Sequence, residues 1–232
     1  LIQRLENKEF NLAILGKFKR GKSSLINALI GKEILPTSIL PLTSIPTFIC
    51  YGEEKKIHVS FLDGAARQDD YDENTLANYV TEEKNPSNEQ GVSEVKLSYP
   101  AKILQKGVVI IDTPGIGSIY VHNTESTMEF LPQCDAALFV LSVDPPLTEA
   151  EFNFLKIVKT KVPSLIFILN KMDYLDLKDQ KKALEFFEKI LRERLNINDL
   201  QLFCMSAKQG MQATIENNEL LLKTSGLFYL QE

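Results

Sequence analysis

Two spacings of apolar residues alternate along this chain. Short continuous runs, such as "NLAIL" (11–15), "GVVIID" (107–112), "AALFVLSV" (136–143) and "SLIFILN" (164–170), read as buried strands. Between them lie stretches with apolar residues every three to four positions. One helix is expected over 22–30, ending at Gly31. Another opens at Thr148 with Glu151 three residues on, the spacing of a capping box. A third, near 178–195, carries Leu184, Phe187, Leu191 and Leu195 as a packing stripe. "TFICYG", "IHVSFLDG" and "SEVKLSY" add strands, "ENTLANYV" a short helix, and "QLFCMSA" a last strand followed by a helix. No helix is expected over 32–46, which holds Pro36, Pro41 and Pro46. The acidic "QDDYDEN" reads as a solvated loop. Strands alternating with helices predict an α/β fold with a mostly parallel central sheet and helices on both faces. The loops at the carboxyl ends of the strands then share one rim, where ligands bind.

Composition narrows the picture little. The chain has 232 residues, 44% apolar and 25% charged, which suits a packed core. A net charge of −5 argues against broad nucleic-acid binding, and no nucleic-acid partner is expected. Cys50, Cys134 and Cys204 form no metal-ligand spacing and read as reduced cytosolic thiols. The longest apolar runs fall far short of the roughly 18 residues that span a bilayer.

The chemistry lies at the strand ends. Gly16, Lys17, Phe18, Lys19, Arg20, Gly21, Lys22 and Ser23 match GxxxxGK[ST] between a strand and a helix. Glycines let the backbone turn its N–H groups inward, and the helix N-terminus adds positive charge, so the loop is an anion site. Lys22 is expected on the β- and γ-phosphates, Ser23 on magnesium, and Ser24 in the same cradle. Chance would produce this match on the order of once per hundred such chains. Asp112 and Gly115 in "DTPG" suit a magnesium-bound water and a γ-phosphate contact, although the tetrapeptide alone is a generic turn. Asn170, Lys171 and Asp173 form NKxD; the carboxylate can accept from guanine N1–H and N2–H₂, a donor pair that adenine lacks. In Ser206, Ala207 and Lys208, Ser206 can be an N-cap and the Ala207 N–H is placed to meet guanine O6. Each of the last three is weak singly; in this order they identify a guanine-nucleotide-binding domain using GTP, GDP and Mg²⁺. A second magnesium ligand is expected among Thr43, Ser44 and Thr47, with Thr37 more remote.

"GKFKRGKSSLINALIGKEILPTSILPLTSIPT" resembles the start of bacterial dynamin-like GTPases: a basic P-loop, NALxG, LP, then a TxxPT-like first switch. "IIDTPGIGSIYVHNTESTMEFLPQCDAALFVLSVDPPLTEAEFNFL" resembles their second switch and following strand, "FILNKMDYL" and "MSAKQG" continue the match, and "SGLFYL" resembles the approach to the last G-domain helix. The resemblance implies a P-loop GTPase fold of the larger dynamin type, with extra strands in the 50–107 region, spanning residues 1–232 as one G domain. It places Thr43 as the first-switch ligand of magnesium and positioner of water. It implies a nucleotide-dependent homodimer through the G domain. It further implies a cytoplasmic protein, peripheral to a membrane that it remodels through helical regions absent from this chain. Where Ras-like proteins carry a water-orienting glutamine this chain has Ile116, so catalysis is expected to rest on Lys22, Ser23, Thr43 and, as a built-in cation, Lys19. Lys19 and Arg20 can equally be solvated charges or phosphate attractors. His122, in the second-switch segment, reads as a solvated loop group, and His58 as a strand residue that packs. A GTP-dependent binding module with negligible turnover and a ribosome-assembly GTPase are the alternatives.

Overall fold

The computed structural model describes residues 9–37, 45–115, 127–128, 130–144 and 147–231. Thr43, Ser44, Ile116 and His122 lie outside them. The strands are β1 (Phe10–Leu15), β2 (Thr47–Tyr51), β3 (Lys56–Phe61), β4 (Ala66–Asp70), β5 (Val92–Tyr99), β6 (Val108–Asp112), β7 (Ala136–Ser142), β8 (Ser164–Asn170) and β9 (Leu202–Cys204). They form one sheet in the order β4-β3-β5-β2-β6-β1-β7-β8-β9. The right half, β6-β1-β7-β8-β9, is parallel throughout. In the left half β2 runs antiparallel to β6 and parallel to β5, and β3 runs antiparallel to both its neighbours.

The helices are α1 (Lys22–Ile30), α2 (Glu73–Val80), α3 (Glu149–Lys161), α4 (Leu177–Leu195), α5 (Ala207–Glu216), α6 (Glu219–Thr224) and α7 (Leu227–Gln231). Period-two alternation divides the parallel strands between two apolar layers. Ile14, Leu138 and Val140 join α1 and α7 through Leu25, Leu29 and Leu227. Ala13, Leu15, Phe139 and Leu141 join α3 and α4 through Phe152, Leu155, Phe187 and Leu191. Gly31 closes α1 in the left-handed region (φ 78°), as a helix C-terminus favours. The capping box forms: Thr148 Oγ accepts from the Glu151 amide, and Glu151 accepts from the Thr148 amide.

Extra strands are present in the 50–107 region: β3, β4 and β5 widen the sheet, with α2 against β5. The acidic stretch differs from expectation. Residues 66–70 form the edge strand β4, paired among the described residues only with β3, and Asp72 caps α2 by accepting from the Thr75 amide. An edge strand exposed on both faces has no buried side to mark with apolar residues, and its charges keep the edge from pairing further.

Candidate nucleotide site

The loop from Gly16 to Gly21 joins β1 to α1 at the carboxyl rim of the parallel strands. Two approaches demand glycine. A Cβ on Gly16 would sit 2.5 Å from the Val140 carbonyl oxygen, and one on Gly21 would collide with Asn170 Nδ2. Gly21 also takes φ 93°. Lys22 is buried and its Nζ donates to the Gly16 carbonyl at 3.1 Å. Burial pushes its ammonium down to about 8, opposed by the nearby Asp112 carboxylate. Such a buried cation favours an anionic ligand.

Ser23 Oγ donates to Asp112 Oδ2 at 3.2 Å, so α1 and the end of β6 bring a hydroxyl and a carboxylate together. These are hard oxygen donors, and among the described residues no cluster of three His, Cys, Asp or Glu side chains forms a protein-only metal cage. That set fits magnesium, which takes one or two protein oxygens beside substrate phosphates. Thr113, one residue on, is anchored by its hydroxyl to the Ile14 carbonyl at 2.7 Å. Gly115 lies against the P-loop: a Cβ there would come within 3.0 Å of the Phe18 amide nitrogen. Thr47 is buried at the start of β2 with its hydroxyl 3.5 Å from the Ile45 carbonyl, so it belongs to the sheet.

Asn170 ties the motifs together. Its Nδ2 donates to the Arg20 carbonyl at 3.0 Å, and its Oδ1 accepts from the Ala207 amide at 2.9 Å. The Ala207 N–H thus already has a partner within the protein, while Ala207 itself lines the cleft with Lys208. Ser206 is the N-cap of α5, accepting from the Gln209 amide. Lys208 follows in the first turn of α5 and lines the cleft. Gly21, Ser24, Asn170, Lys171, Asp173 and Lys208 line one cleft of about 460 Å³. Thr37, Glu33, Met211 and Ile215 extend it along α1 and α5. The Lys171 amine is lowered by burial first and by Arg20 second, and lies 5.8 Å from the Tyr174 ring centre.

The two basic residues before Gly21 part company. Lys19 is exposed in the left-handed region (φ 66°), its amine 5.4 Å from the Phe18 ring centre. Arg20 departs from the expectation of a solvated or phosphate-attracting charge. It is 1% exposed, and its guanidinium forks onto Glu151 at 2.9–3.1 Å and reaches Ser142 Oγ at 2.8 Å. Glu151, expected from its spacing only to cap α3, also pins the P-loop to the start of that helix. The capping-box spacing located Glu151, but nothing local marks it as the partner of a residue 131 positions away.

The sequence matches the model of the dynamin family over residues 12–172. It is 41% identical over 96% of its length to an uncharacterised protein of Caldicellulosiruptor sp., covering 55% of that protein. It is 30% identical over 96% of its length to the bacterial dynamin-like protein of Nostoc punctiforme, covering 36% of it. The fold superposes on a solved chain of an oligomerised bacterial dynamin pair with a TM-score of 0.78, at 21% identity, over 99% of this chain and 38% of that one. The chain thus spans about half, or less, of the length of the relatives it matches. With its P-loop GTPase sheet, extended by β3 to β5, and the dynamin model matched over most of the chain, this protein belongs to the dynamin family as a G domain.

Proposed function

We propose that this G domain binds GTP and hydrolyses it to GDP and phosphate with magnesium. The observation that carries the reading is a single cleft bounded by Gly21 and Ser24 of the phosphate loop at one side and Asp173 and Lys208 at the other. Asp173 would accept from the guanine donors and the Lys208 amide would donate to O6. Lys22 would hold the β- and γ-phosphates. Ser23, Asp112 through water, and Thr43 would hold magnesium, which when bound supplies charge neutralisation at the phosphates. Water then attacks the γ-phosphorus in line, positioned by Thr43. The amine of Lys19, which is exposed, would lean over the departing β–γ oxygen as a cation within the chain that acts on turnover rather than affinity.

Dimerisation across the nucleotide face would stimulate the reaction, in keeping with the oligomerised dynamin pair that shares the fold. In a longer protein the cycle would drive membrane remodelling from the cytoplasmic side, through regions outside this chain. Among the described residues no helix is long and apolar enough to cross a bilayer.

The test is single-turnover GTP hydrolysis at rising protein concentration, with magnesium and with chelator, and light scattering with GDP and aluminium fluoride. Magnesium-dependent turnover that rises with concentration, alongside a dimer, is expected. Tight GTP binding without turnover at any concentration would leave a binding module instead. For Lys19, equal rates in potassium and choline buffers are expected, with Lys19→Ala losing turnover and keeping GDP affinity; a wild type that needs potassium removes Lys19 from catalysis.

A further inference from the structure

The extension between β2 and β6 plays no part in the chemistry above, yet one of its side chains reaches the nucleotide-binding half. Tyr71, between β4 and α2, donates its hydroxyl to the Ile34 carbonyl at 3.0 Å. Ile34 and Leu35 are loop residues beyond α1, and both are buried, at 0% and 3% exposure. Asn27 of α1, itself buried, serves the same dipeptide. Its Oδ1 accepts from the Ile34 amide at 3.0 Å and the Leu35 amide at 2.9 Å, and its Nδ2 donates to the Leu35 carbonyl at 2.9 Å.

Two side chains thus take all four backbone polar groups of Ile34 and Leu35. Loop backbone ordinarily meets water; here it is sequestered and held from two different elements. Asn27 stands four residues after Ser23 on the same helix, so its three bonds fix the dipeptide relative to Lys22 and Ser23. Thr37, two residues beyond Leu35, already lines the nucleotide cleft.

We infer that Asn27 and Tyr71 are positioning residues for hydrolysis. They hold the stem from which the Thr43 segment departs, and turnover depends on a hydrogen bond supplied by the extension. The inference rests on the GTPase reading above. Asn27 joins the stem to the phosphate-binding helix; Tyr71 joins it to β4 and α2. Burial, and then the neighbouring Glu73 carboxylate, push the Tyr71 hydroxyl up to about 12, so it remains a donor at working pH. Its ring is placed independently of the hydroxyl. The Tyr71 amide donates to the Lys55 carbonyl at 3.0 Å, and the ring meets Tyr99 edge-on at 6.1 Å.

Tyr71→Phe therefore removes the one bond and keeps the ring. The Ile34 carbonyl loses its partner, and the stem loosens on the side away from Asn27. A neutral hydrogen bond lost from a buried carbonyl lowers kcat about five- to tenfold if the held stem is what turnover requires. Ground-state binding does not use the bond, so KM and GDP affinity stay within about twofold of wild type.

The experiment measures GTP hydrolysis against GTP concentration, GDP affinity, and amide hydrogen exchange at Ile34 and Leu35, in wild type and Tyr71→Phe. A lower kcat at constant KM and GDP affinity, with faster exchange at the two amides, is the expected result. Unchanged kcat overturns the inference. So does a parallel fall in kcat, GDP affinity and melting temperature, which would make Tyr71 merely structural. If the wild type itself does not turn over, the GTPase reading fails instead, and exchange rates that Tyr71→Phe leaves unaltered would then dismiss the stem as well.

Discussion

Replacing Glu151 with glutamine tests the buried link between the P-loop and α3. The carboxylate is used on both sides. Oε1 accepts from Arg20 Nε and Nη2, and Oε2 accepts from Arg20 Nη2, the Thr148 amide and the Thr148 hydroxyl. A glutamine has one acceptor oxygen. Turned toward Arg20, it sets its own NH₂ against the Thr148 amide; turned toward Thr148, it sets NH₂ against the guanidinium. In either pose a donor faces a donor, and the negative charge beside a 1%-exposed arginine is gone. Breaking a buried pair by removing one partner costs about 3–5 kcal/mol. A domain commonly holds only about 5–15 kcal/mol in all. For a chain of this length the loss is about 6–20 °C in Tm, at about 2–4 °C per kcal/mol. Urea denaturation of the nucleotide-free protein, followed by circular dichroism, measures it directly. The midpoint should fall with the slope unchanged. Arg20→Met combined with Glu151→Leu should cost less than the sum of the single changes, because neither member of the pair is then left buried without the other. A Glu151→Gln protein within about 1 kcal/mol of wild type would refute the reasoning, since an exposed pair is worth no more than that.

Three further outcomes are expected. Asp173→Asn should weaken GTP and improve XTP, since the amide can donate to the xanthine C2 carbonyl; calorimetry with GTP, XTP and ATP checks it, and unchanged GTP affinity would remove Asp173 from the base site. Gly21→Ala should lower GTP and GDP affinity alike by about tenfold or more, because its Cβ strikes Asn170 at a strained φ; Gly64→Ala, also at positive φ but in open space, should cost stability and leave affinity untouched. Burial pushes the Cys204 thiol up to about 11, so Cys204 should resist alkylation at pH 8, read by mass spectrometry of the iodoacetamide-treated native protein.

Much of the parallel half of the sheet was legible because its signals are local. β1, β6, β7 and β8 each hold at least four consecutive apolar residues, as a strand covered on both faces favours. Gly31 and the Thr148–Glu151 box mark helix ends through bonds that span a few residues. The phosphate loop is a contiguous string whose glycines, lysine and serine act on their immediate neighbours, and NKxD and SAK are equally compact. Such features survive in a one-dimensional reading because the atoms that interact are close in the chain.

The rest came from contacts between distant segments. β4 had no apolar face to announce it, since an edge strand open on both sides buries nothing that sequence could encode. Arg20 carried the same charge as Lys19 one position earlier; only the approach of α3 gave it a buried carboxylate and left Lys19 in solvent. The Ala207 amide looked free for a base until β8 delivered Asn170 beside it. Tyr71 sat in an acidic stretch with no apparent task until β3 and β4 folded it onto the loop after α1. The sequence by itself determined the kind of nucleotide loop and the alternation of the central elements. The tertiary structure decided which of those polar groups remain available to a ligand, because a hydrogen-bonding group used across the fold is no longer one the site can offer.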